Sequence, residues 1–67
     1  MLFTMTELQR MYNDMLVTLE KGINDLEKFE DGNMSAGTRV RKTMQTTKEL
    51  AQKIRVTVQE QKNAVVA

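Results

Sequence analysis

The sequence contains no cysteine, no histidine, no proline and no tryptophan, and only three glycines in 67 residues. Without cysteine there is no disulfide to staple a small fold and no thiolate to hold zinc. Without histidine the commonest metal ligand and the commonest general base are both missing. Without proline, and with so little glycine, nothing in the composition reads as a flexible linker or as an interruption of regular structure. Aromatic residues make up 4% of the chain, which is thin for a compact core. No stretch approaches the roughly 18 apolar residues that a membrane span needs. The apolar start Met1-Leu2-Phe3 is interrupted at once by Thr4, Thr6 and Glu7, with no basic region before it, so it does not read as a secretory signal. A chain of this length supports one small domain, too small to enclose a reaction pocket. The expectation is a cytoplasmic, non-enzymatic binding or assembly module with no metal and no cofactor.

What is present is helical periodicity. In the first half, Met5, Leu8, Tyr12, Met15, Leu19, Gly22, Leu26 and Phe29 alternate in steps of three and four, a heptad series. Leu16 and Ile23 widen the stripe on one flank and Met11 on the other, a breadth that suits a bundle better than a two-stranded seam. Thr4-Met-Thr-Glu7 has capping-box spacing and sets the start. Asp31-Gly32-Asn33 is the one turn-like cluster. Gly32 suits the left-handed position that closes a helix, and Asn33, with Ser35 as competitor, can cap the next. The second series is Gly37, Val40, Met44, Thr47, Ala51, Ile54, Val58, Gln61 and Val65, with smaller and more polar inward residues. The uncapped tail Asn63–Ala67 is expected to fray. The reading is therefore all-α: one helical hairpin over residues 1–67, coiled-coil-like, with helix one at about 5–30, the turn at about 31–33 and helix two at about 34–62. A lone hairpin leaves part of the broad first stripe uncovered. Met5, Leu8, Tyr12, Met15, Leu16, Leu19, Ile23 and Leu26 are thus the expected oligomer interface, most simply that of a four-helix bundle made by two hairpins.

The net charge of +1 conceals a division. Residues 1–31 hold seven acidic and three basic side chains, a net of −4; residues 32–67 hold seven basic and two acidic, a net of +5. Arg41, Lys48, Arg55 and Lys62 recur every seven residues, which places them in a ridge along one edge of helix two. Arg39, Arg41 and Lys42 crowd its first turns, where cations oppose the helix dipole. Beside the unpaired N–H groups of residues 34–36 they would suit a phosphate. The charges have two uses. They can set antiparallel pairing with the acidic first helix, or they can meet the backbone of double-stranded DNA without reading sequence. For the second use the candidate contacts are Arg39, Arg41, Lys42, Lys48, Lys53, Arg55 and Lys62; no Asn or Gln is placed for base readout.

The stretch Gly32-Asn33-Met-Ser-Ala36-Gly-Thr-Arg39-Val40-Arg41, followed without a gap by Ala51 and Arg55, resembles the bacterial linker-histone-like (chlamydial-type) nucleoid proteins. Related short proteins occur in other bacteria and some large viruses. The resemblance rests on a G-N-x-x-A-x-x-R-x-R signature between Gly32 and Arg55; helix one matches only in heptad character. It implies a helical hairpin, nucleoid association and non-specific DNA binding. Gly32 and Asn33 would form the turn, Ala36 would be packed, and Arg39, Arg41 and Arg55 would be backbone contacts. These 67 residues carry no Lys/Ala/Pro-rich tail, so strong autonomous compaction is not expected of them. The other expectation is a structural hairpin that joins larger proteins, as in a virion or scaffold.

Overall fold

A computed structural model describes residues 5–66. Helix α1 spans Glu7–Glu30 and helix α2 spans Met34–Val66, and there is no strand among the described residues. The two pack against each other as an antiparallel hairpin, one layer deep, with extents of 53 × 31 × 11 Å. At 24 and 33 residues the helices differ in length, so the last turns of α2 run past the start of α1.

Each end has an identifiable cause. Helix α1 starts on Thr6. Its Oγ1 accepts the Gln9 N–H at 3.1 Å, and Gln9 Oε1 accepts the Thr6 N–H at 3.0 Å. This capping box is two residues later than the Thr4-to-Glu7 spacing predicts; Thr4 itself lies outside the described residues. The helix ends in a Schellman turn: the Asn33 N–H donates to the Lys28 carbonyl and the Gly32 N–H to the Phe29 carbonyl, both at 2.9 Å. Gly32 adopts φ +103°, a conformation that costs side chains roughly 1–2 kcal/mol. Asn33 then caps α2, its Oδ1 accepting the Ala36 N–H at 3.1 Å and the Ser35 hydroxyl at 2.8 Å. One residue closes the first helix with its backbone and opens the second with its side chain. Gly32→Ala should lower the melting temperature by about 4–8 °C, the equivalent of about 1 kcal/mol in a domain this small; circular dichroism at fixed protein concentration checks it. Residues 63–66 are helical, not frayed, helped by Gln59 Nε2 donating to Asn63 Oδ1 at 3.1 Å.

Toward the turn, the seam between the helices is lined by small residues. Ala36 is fully buried and is the one buried residue among those described. A Cβ on Gly22 would stand 3.0 Å from Thr43 Cγ2, and one on Gly37 would stand 2.6 Å from the Phe29 ring. Absent side chains thus allow the close approach. The half-buried positions are Leu8, Met11, Met15, Thr18, Gly22 and Asp25 on α1, and Gly37, Val40, Thr43, Thr47, Leu50, Ala51, Ile54 and Thr57 on α2. Leu8, Met15, Gly22, Gly37, Val40, Thr47, Ala51 and Ile54 belong to the heptad series expected from sequence. Elsewhere the seam is displaced by one residue, to Met11, Thr18 and Asp25 in place of Tyr12, Leu19 and Leu26, and to Thr43 and Thr57 in place of Met44 and Val58, while Leu50 joins Ala51.

Candidate nucleic-acid interface

The displaced seam leaves the bulkiest apolar side chains of α1 on one open face. Tyr12 is 58% exposed and Ile23 54%, and Leu16, Leu19 and Leu26 are also exposed. Leu16, Leu19, Ile23 and Leu26 line a shallow groove of about 310 Å³ with Val40, Thr43 and Met44 of α2. The groove continues toward the turn along Phe29, Met34 and Arg41, and away from it along Tyr12 and Met5. Of the eight residues expected at an oligomer interface, Leu8 and Met15 are thus taken into the hairpin seam. Met5 is half-buried at the groove's edge, and Tyr12, Leu16, Leu19, Ile23 and Leu26 remain on the open face.

The basic candidates separate onto two flanks of α2. Arg41 borders the open face beside Leu26 and Met34. Lys48, Arg55 and Lys62 follow it at heptad intervals and are exposed. Arg41 and Lys62 are 21 residues apart, a length of about 31 Å, close to one turn of B-DNA. No carboxylate interrupts this line, and none of the four forms an ion pair among the described residues. Gln45, Gln52 and Gln59 each follow a cation by four residues, so polar side chains run beside the ridge. Gln45 and Gln59 are engaged with Glu49 and Asn63 one turn on.

Lys53 lies on the opposite side of the hairpin, in a depression with Glu7, Met11 and Val56. Arg39 and Lys42 share that flank by register. There Glu49 follows Lys42 by seven residues and Glu60 follows Lys53 by seven, so charges of both signs alternate. Arg39 is committed to the hairpin itself. Its Nε donates to Asp25 Oδ1 at 2.8 Å across the seam, the one ion pair among the described residues. The acidic partner could have been found from sequence: once Gly32 and Asn33 fix the turn, Asp25 and Arg39 fall at mirrored positions. The N-terminus of α2, expected to hold a phosphate, is already capped by Asn33.

The signature residues therefore have distinct physical roles. Gly32 supplies the positive φ, Asn33 the double cap, Ala36 the tightest point of the seam, Arg39 the inter-helix ion pair and Arg41 the first cation of the exposed ridge. A family model, the histone H1-like protein Hc1, matches residues 7–64, which takes in both helices and the turn. Comparison with curated proteins and with solved structures returned no match. No helix among the described residues is long and apolar enough to cross a membrane.

Proposed function

The chain belongs to the histone H1-like Hc1 family, and from that premise we propose that it is a non-enzymatic nucleoid protein that binds double-stranded DNA without sequence preference. The observation that carries the reading is the uninterrupted ridge of Arg41, Lys48, Arg55 and Lys62. It is exposed, carries one sign of charge and is about as long as a DNA turn. Such a ridge meets phosphates, and the flanking Gln52 adds a side chain able to hydrogen-bond phosphate oxygens without selecting a base. Lys53 and Lys42 add weaker contacts, because Glu60 and Glu49 lie beside them. The open apolar face supports action as an oligomer, and the DNA is that of the nucleoid.

Competition between unrelated duplexes tests the reading: each should displace a labelled duplex with the same midpoint within about twofold. A tenfold preference, or about 1.4 kcal/mol, would replace backbone contact by base readout. Arg39 should behave differently from the ridge. Arg39→Gln removes a half-exposed ion pair, so thermal stability should fall by less than about 1 kcal/mol. Duplex affinity should fall by less than about threefold, since the lost charge is one that Asp25 already offsets.

A further inference from the structure

We propose that α2 lies parallel to the axis of a B-form duplex and rides over its grooves, with Arg41, Arg55 and Lys62 on three successive strand crossings and Lys48 above the major groove. This rests on the DNA-binding reading above and specifies the form of nucleic acid that the ridge takes: two strands, over one full turn.

Two observations carry the arrangement. The first is spacing. Measured from Arg41 along the helix, Lys48, Arg55 and Lys62 stand at about 10, 21 and 31 Å. Along one side of B-DNA the groove widths set where the strands cross. The intervals are about 20 Å over the major groove and about 13 Å over the minor, together one turn of about 34 Å. Four evenly spaced cations cannot all meet crossings spaced so unevenly. Arg41 and Lys62 span the turn, and one of the two inner cations falls over the wide groove.

The second observation decides which one. Gln45, which stands between Arg41 and Lys48 on the ridge, donates from Nε2 to Glu49 Oε1 at 3.3 Å and so draws that carboxylate toward the ridge. Beside Arg55 the corresponding amide, Gln59 Nε2, donates instead to neutral Asn63. With Lys48 over the major groove, Glu49 sits where phosphates are farthest away, and Arg55 meets a strand. With Arg55 over the groove, Glu49 would be pressed against a strand.

The flanks of α2 exclude insertion into the major groove. A helix in the groove has a phosphate wall on each side. Here one flank is apolar, with Met44 49% and Val58 39% exposed, and the other carries Glu49 and Glu60. The cations stand on the leading edge, which in the groove would face bases. Riding over both grooves leaves the bases unread, in agreement with binding without sequence preference.

Single glutamine substitutions, each titrated with duplex between 50 and 200 mM salt, test the arrangement. Arg41→Gln, Arg55→Gln and Lys62→Gln should each reduce the magnitude of the salt slope by about 0.9, and Lys48→Gln by less than about 0.3. A duplex whose pyrimidines carry bulky C5 substituents, which fill the major groove, should bind within about twofold of the plain duplex. A single strand of the same sequence presents no crossings and should bind at least about tenfold more weakly. Equal slope changes at all four positions, a tenfold loss on the substituted duplex, or equal affinity for the single strand would each overturn the arrangement and leave DNA binding standing. No binding of the wild-type chain to duplex at 50 mM salt would overturn both.

Discussion

Arg55→Glu combined with Lys62→Glu should lower affinity for a duplex of about 30 base pairs by about a hundredfold at 50 mM salt, and leave helicity and oligomeric state unchanged. The two residues are exposed and form no ion pair among the described residues. Each reversal removes one counterion-releasing contact and adds one repulsion. Lys42→Glu with Lys53→Glu is the control of equal charge. It should cost about tenfold or less, because Glu49 and Glu60 already weaken that flank. Anisotropy with a labelled duplex compares the two. Equal losses would mean that net charge, not the ridge, governs binding.

Ala36→Leu should be the most damaging single substitution for the fold. Ala36 is fully buried where the helices are closest, one turn after Asn33 caps α2 and next to Gly37, which already abuts the Phe29 ring. A leucine there has no space to enter without prising the helices apart, at a cost of about 3 kcal/mol. In a protein this small that lowers the melting temperature by more than about 12 °C. Ala51→Leu is the matched control: Ala51 lies at the edge of the seam toward the open face and is half-buried, where Ala36 is fully buried. It should change stability by less than about 1 kcal/mol. Thermal melts followed at 222 nm measure both, and an Ala36→Leu protein as stable as wild type would contradict the seam described above.

The parts of this fold that depend on local chemistry were legible in the residues. Two helices follow from the heptad spacing and the lack of proline. The break follows from Gly32, which can take φ +103°, and from Asn33, whose side chain can cap. What depends on the contact between helices was less legible. Hydrophobicity alone centres the stripe on Tyr12, Leu19 and Leu26. In the half nearer the turn the helices instead meet where side chains are small or polar, at Thr18, Gly22 and Asp25 against Ala36, Thr43 and Arg39. Close approach there favours small residues, and Tyr12, Leu16, Leu19, Ile23 and Leu26 are left for another surface. The same displacement decides the charges. All seven cations of the second half were candidates, but Arg39 mirrors Asp25 across the turn and is spent on the hairpin. The seven-residue spacing of Arg41, Lys48, Arg55 and Lys62 needed no tertiary information and survives as one edge. The start of α1 was ambiguous because Thr4-x-x-Glu7 and Thr6-x-x-Gln9 both fit a capping box, and only the formed helix selects the second.

The salt dependence of duplex binding tests the central claim most directly. Anisotropy titrations between 50 and 200 mM salt should give log K falling linearly with log salt, with a slope of about −2 to −4 per bound chain for two to four phosphate contacts. Replacing Arg55 and Lys62 by glutamine should reduce the magnitude of that slope by about 2. No binding at 50 mM salt, or an affinity that salt does not change, would contradict a ridge built for the DNA backbone and would assign these cations to contacts between protein chains.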